Sequence, residues 1–135
     1  MTFTDAGALV ALIDKNQPHN PRCRTTFATL SLPLVTTWPA FTEAMYLLYR
    51  IGGWSLQRNL WQYIEAGVLH IHFSNATEQQ RMQQLMEQYH DTPMDLADAS
   101  LVATAETRNL SRIFTLDSDF RVYRIKETGV FEIVF

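Results

Sequence analysis

Short apolar strands alternating with helices predict an α/β fold, a single α/β/α sandwich around a mostly parallel central sheet of about five strands. Three observations carry that expectation. Runs rich in β-branched and aromatic residues at 2–4, 34–37, 68–73, 113–116 and 130–135 are too short for helices. Stretches with helical character lie between the first four of them. No internal repeat and no linker interrupts the 135 residues, so one domain spans 1–135.

In chain order, Thr2-Phe3-Thr4 reads as a strand that ends at Asp5, a residue type well suited to capping a helix. Residues 8–13 are wholly apolar and open a buried helix. The stretch 16–21, with two prolines and two asparagines, is a loop, and a helix follows over 23–30. After the strand at 34–37, Pro39 suits the first turn of a helix that runs to Ile51 and stops at Gly52-Gly53. Ser55 caps a further helix carrying Leu56, Leu60, Trp61 and Ile64, closed by Gly67. A polar helix runs from Asn75 or Thr77 to about His90, and another from Pro93 through Ala105.

Composition narrows the class. With 47% hydrophobic and only 19% charged residues, the chain has ample material for a core and none of the signature of disorder. The lone Cys23 excludes an intramolecular disulfide and agrees with a reducing, cytoplasmic compartment. No apolar run approaches a membrane span, and no basic segment precedes residues 6–13 as a signal peptide requires. A net charge of −3 argues against holding nucleic acid by bulk electrostatics. Positive charge is nevertheless local: between 108 and 126, Arg108, Arg112, Arg121, Arg124 and Lys126 meet only Asp117 and Asp119.

Several acids occupy positions where charge is costly. Asp5 ends the first strand, and Asp117 and Asp119 follow the 113–116 strand; singly, these suit a cap and a turn. Glu43 shares a helical face with Ala40, Ala44, Leu47 and Ile51 on a helix apolar nearly all round, which predicts a buried carboxylate needing a metal or a partner. Asp98 shares a face with Met94, Leu101, Val102 and Ala105. Asp95 lies one turn earlier, at a spacing where like charges repel. The preference for acids at helix starts accounts for Asp95 and accounts poorly for Asp98. Acids from four separated segments suit a hard cation such as Mg²⁺ or Mn²⁺, which takes oxygen ligands.

These residues carry a resemblance. The segments around Asp5, Glu43, Asp98 (Asp95 to Ala105) and Thr115-Leu116-Asp117-Ser118-Asp119-Phe120 resemble PIN-domain proteins, above all the VapC-type toxins of bacterial toxin–antitoxin pairs. The resemblance covers nearly the whole chain. The Asp98 block and the Thr115–Phe120 segment are its more specific parts. Carried over by position, the family's acidic quartet falls on Asp5, Glu43, Asp98 and Asp117, with Asp119 as a fifth candidate and Thr115 as the hydroxyl residue before the last acid. Ala6-Gly7-Ala8 departs from the family, where a Ser or Thr near the first acid is frequent. The resemblance implies a Mg²⁺- or Mn²⁺-dependent endoribonuclease that hydrolyses RNA with a metal-activated water. Asp5, Asp98 and Asp117 would hold the metal, and Glu43 would bind it directly or through water. It also implies a small antitoxin protein as partner and a homodimer. Arg112, Arg121, Arg124 and Lys126 are candidate RNA phosphate contacts, with a solvated charged face as the equal alternative.

Two other functions compete. One is a PIN-like module that binds RNA or a partner without catalysis. The other is an aspartate-based phosphatase or phosphotransfer domain, which expects paired acids at the first strand and a nearby lysine; Asp5 is followed by Ala6-Gly7, and the only lysines are Lys15 and Lys126. His70 and His72 point to one side of their strand and, without a third ligand, read as an exposed strand face rather than a zinc pair. Cys23 reads as a small buried hydrophobe. Tyr46, Tyr49, Trp54 and Trp61 are expected mostly in the core, with the remainder serving the partner groove or dimer contact that the resemblance implies.

Overall fold

A computed structural model describes residues 1–135. Its strands are β1 (Thr2–Thr4), β2 (Leu34–Thr37), β3 (Leu69–His72), β4 (Arg112–Phe114), β5 (Arg124–Ile125), β6 (Gly129–Val130) and β7 (Glu132–Val134). Its helices are α1 (Ala6–Ile13), α2 (Asn20–Phe27), α3 (Trp38–Gly52), α4 (Trp54–Glu65), α5 (Ala76–Gln88) and α6 (Leu96–Arg108), with a 3₁₀ turn at Ser118–Arg121. Five strands form one parallel sheet in the order β3-β2-β1-β4-β7, while β5 and β6 pair as a separate antiparallel ribbon. The α/β/α sandwich with a parallel sheet is therefore the observed architecture.

Strand alternation divides the core into two halves. Phe3, Val35 and Ile113, register partners across the sheet, pack with Met82, Leu85, Leu101 and Val102 beneath α5 and α6. Leu34, Leu69 and Phe114 face the other way, onto Leu9, Leu12, Phe41, Leu48 and Leu60 of α1, α3 and α4. The seven buried apolar residues of α1 fit a helix enclosed on nearly every side. Its last carbonyls find a donor in Asn20, whose side-chain amide reaches the Ala11 oxygen at 2.8 Å and the Leu12 oxygen at 3.1 Å.

Local chemistry moves several predicted boundaries. Pro21 occupies the first turn of α2, which starts at Asn20 rather than Cys23. Gly53, at φ 69°, both ends α3 and precedes α4, so Ser55 is not the cap; its hydroxyl donates to the Gly52 carbonyl at 3.2 Å. The last helix starts at Leu96, not Pro93, because Asp95 caps it. The strand expected at 113–116 ends at Phe114, and the run 130–135 divides between the β5–β6 ribbon and β7.

Helix α3 departs furthest from expectation. Only Ala40, Phe41, Ala44 and Leu48 are buried, one stripe at helical spacing. Tyr46, Tyr49 and Trp54 are each more than half exposed, and Trp61 is exposed as well, so the aromatics predicted for the core lie mostly outside it. His72 is not simply a solvated strand residue either. Its Nε2 pairs at 2.8 Å with Glu78, whose carboxylate also accepts from the Asn75 amide and the Thr107 hydroxyl; His70 is exposed. Cys23 is fully buried. No helix is long and apolar enough to cross a membrane.

Candidate active site

The chain leaves β1 toward β2 and β3 and returns to pair β4 on the other side of β1. In such sheets ligands bind beyond the carboxyl ends of the strands, where the order switches. Asp5 follows β1 at that point and Asp117 lies just beyond β4. A cleft of about 290 Å³ is lined there by Asp5, Glu43, Asp95, Asp98 and Asp117, with Gly7 among its other walls. The four acids singled out in the sequence thus meet in one place. Asp119 does not line the cleft, and Asp95, accounted for in the sequence by the preference for acids at helix starts, does.

Three of these aspartates also cap helices: Asp5 caps α1, Asp95 caps α6 and Asp117 caps the 3₁₀ turn, while Asp98 sits in the first turn of α6. Asp5 Oδ1 accepts from the Ala8 amide at 3.0 Å, and its Oδ2 accepts from the Thr115 hydroxyl. Thr115 Oγ1 in turn accepts from the Asp117 amide at 2.9 Å, so one hydroxyl ties the loops after β1 and β4 together. Asp117 Oδ1 accepts from the Asp119 amide at 2.9 Å. Asp95 and Asp98 form a capping box, with the Asp98 amide donating to Asp95 Oδ1 at 2.8 Å and the Asp95 amide to Asp98 Oδ2 at 3.4 Å. That box corrects the view that a helix start accounts poorly for Asp98. The fully buried Tyr123 adds a donor, its hydroxyl lying 3.1 Å from Asp98 Oδ2. No local sequence signal marks Tyr123 for this contact.

The remaining oxygens are uncommitted. Asp98 Oδ1, Asp117 Oδ2 and both Glu43 carboxylate oxygens accept no hydrogen bond, and no Lys, Arg or His pairs with any acid of the cleft. Glu43 is exposed on the rim rather than buried, because it lies off the buried stripe of α3.

The electrostatics follow from crowding and burial. Asp5, 8% exposed, has its pKa raised to about 6, chiefly by burial and further by Asp117 and Glu43, against the opposing bonds from Thr115 and Ala8. Asp98 is pushed up to about 7 by burial, then by Asp95 and Asp117, with Tyr123 and the Asp95 amide opposing. Glu43 is raised by partial burial and then by Asp95 and Asp117. The Tyr123 hydroxyl is raised by burial and by Asp98, so it remains a proton donor to that carboxylate.

Such a donor set fits a divalent cation in kind: oxygen throughout, net negative, and uncompensated by any basic side chain. A cation there would lower every one of these pKa values. In spacing, no three of the side chains stand close enough together to hold one ion. Glu43 is exposed and no bond holds its carboxylate.

The basic residues near Asp117 in sequence divide sharply. Arg112 Nε lies 3.5 Å from Glu132 without an aligned hydrogen bond. Arg124 Nη1 donates to the carbonyls of Arg121, Val122 and Tyr123, and Lys126 Nζ donates to Asn109. Arg121 alone of the four has a side chain without partners, and it lines a second cleft of about 210 Å³ together with Asp117, Ser118 and Arg22. Arg22 lies far from Asp117 in sequence and gave no signal there.

Comparison with known proteins agrees with this geometry. A PIN domain family model matches residues 2–126. The fold is similar to that of VapC20 from Mycobacterium tuberculosis, described as a toxin that cleaves the sarcin–ricin loop. The TM-score is 0.84 at 16% identity, over 90% of this chain and 94% of that one. A search of curated proteins finds no match to this sequence. Since the family model spans nearly the whole chain, the protein belongs to the PIN domain family.

Proposed function

We propose that the protein is a metal-dependent endoribonuclease and the toxin of a type II toxin–antitoxin pair. The observation that carries this reading is the meeting of Asp5, Glu43, Asp98 and Asp117 in one cleft with no basic partner. Asp5, Asp98 and Asp117 would hold Mg²⁺ or Mn²⁺, with Glu43 joining directly or through water. Bound there, the ion supplies charge to draw in a phosphodiester and acidity to make water a nucleophile at neutral pH. The chain's own residues do the rest. Thr115 and the Ala8 amide fix the Asp5 carboxylate, and Tyr123 with the Asp95 amide fixes Asp98 Oδ2. Glu43, whose two carboxylate oxygens accept no hydrogen bond, would take a proton from the attacking water.

The description of VapC20, which shares this fold, as a toxin that cleaves the sarcin–ricin loop supports the toxin assignment and an RNA substrate. A small antitoxin, a homodimer and a cytoplasmic setting belong to the same proposal. The exposed Tyr46, Tyr49 and Trp54 on α3 and α4 supply the apolar anchors that such protein partners need. A non-catalytic module is the second reading. It is favoured by the spacing of the acids, no three of which stand ready for one ion.

The test is cleavage of pooled cellular RNA by wild type beside Asp98→Asn, with Mg²⁺ and with EDTA. Wild type is expected to cut only with the metal, and the variant to lose at least a hundredfold, as expected on losing an electrostatic group of the site. Equal cutting in EDTA overturns the metal mechanism, and full activity in the variant overturns the site. No cutting under any condition selects the binding module.

A further inference from the structure

We infer that Arg22 and Arg121 form a phosphate subsite, which holds the phosphodiester next to the scissile one in a single-stranded RNA. The inference rests on the nuclease reading above and assigns the path of the substrate away from the acids. A cleft lined by acids repels the backbone on both sides of the cut, so the neighbouring phosphate needs cations close by. The second cleft provides them. It shares Leu116 and Asp117 with the acidic cleft, and Arg22, Arg121 and Ser118 face it.

Arg22 is held in place for this task. Its guanidinium lies over the Phe135 ring, 4.0 Å from the centroid, and one Nη donates to the Phe135 carbonyl at 3.2 Å. The His19 ring packs edge-on against the same phenyl, with centroids 5.7 Å apart. The Nε and the other Nη of Arg22 have no partner, and no acid pairs with Arg22 or Arg121. A stacked guanidinium with free N–H groups gives up little freedom on binding a phosphate. The two arginines come from α2 and from the 3₁₀ turn, so only the folded chain brings them to the edge of the acidic cleft.

The test uses a labelled single-stranded RNA decamer. Its binding is followed by fluorescence anisotropy in EDTA across a salt series, and its cleavage is followed separately with Mg²⁺. Arg22→Ala and Arg121→Ala should each weaken binding about three- to tenfold and raise KM while sparing kcat. Because both arginines hold one phosphate, the double variant should lower the slope of log K against log salt by about 0.7. Arg22→Lys should retain that slope while losing part of the affinity. Lys15→Ala, which removes the same charge from an exposed position just past the far end of α1, should match wild type. Thermal melting of each variant near the wild-type value excludes misfolding. If wild type cleaves but the arginine variants bind and cut like Lys15→Ala, the subsite is refuted and the nuclease reading survives. If wild type neither binds nor cuts, the nuclease reading fails and takes the subsite with it.

Discussion

Asp5→Asn isolates the energetic cost of building a carboxylate into this cleft. The asparagine carbonyl can still accept from the Ala8 amide, and the Thr115 hydroxyl can rotate to accept from the new amide, so the cap and its tie to β4 survive. What disappears is a charge that burial, Asp117 and Glu43 all disfavour. The folded pKa is raised from 3.8 to about 6. Folding is therefore unpenalised below pH 3.8, and stability is lost progressively as pH rises through 6. At 1.36 kcal/mol per pH unit the full penalty is about 3 kcal/mol, an upper bound. Urea denaturation in EDTA at pH 4, 5, 6, 7 and 8 measures it. The variant should match wild type at pH 4 and exceed it by about 1–3 kcal/mol at pH 8, while losing nuclease activity. A stability difference that stays flat across that range, or a variant less stable at pH 8, refutes the account of Asp5 as a strained buried acid.

Two further substitutions probe the supports around the site. Thr115→Val removes the hydroxyl that donates to Asp5 and accepts from the Asp117 amide, so about 1–2 kcal/mol of stability and roughly tenfold in kcat should be lost. Denaturant melts and steady-state cleavage check the two numbers. Glu78→Ala removes the acceptor shared by His72, the Asn75 amide and Thr107, and should cost about 2 kcal/mol at pH 7 with no direct effect on the active-site cleft. Burial raises the Glu78 pKa, but these bonds outweigh it and hold the value below 4.5. The wild-type advantage should therefore fade as pH falls below that point, which the same melts at pH 3 to 5 would reveal.

The parallel sheet was legible because its strands are short runs of apolar and β-branched residues separated by helical stretches. The four acids were legible because each interrupts an apolar segment or ends one. Glu43 misled in one respect. A helix with this composition suggests burial all round, yet only the stripe Ala40, Phe41, Ala44 and Leu48 meets the core, and Glu43 sits beside it in solvent. Tyr123 and Arg22 were invisible for a common reason. Tyr123 reaches Asp98 from beyond the 3₁₀ turn, and Arg22 reaches the Asp117 side through Phe135, both by tertiary packing that leaves no local periodicity. The β5–β6 ribbon escaped notice because two-residue strands fall below any alternation signal. Among the basic residues near Asp117, Arg124 and Lys126 donate to their own neighbourhood, while Arg121 lines the second cleft beside it.

If the proposed nuclease reading holds, the order of the strands also sets when a growing chain could begin to cut. The central strand, β1, is synthesised first, but its second neighbour, β4, comes from near the far end, and the last acid of the quartet follows it. A ribosome must therefore translate most of the message before Asp117 can dock beside Asp5. Until then the emerging polypeptide holds an incomplete set of acids and an unpaired inner edge. A protein built to cut RNA would in this way stay harmless to the transcript encoding it through most of its own synthesis.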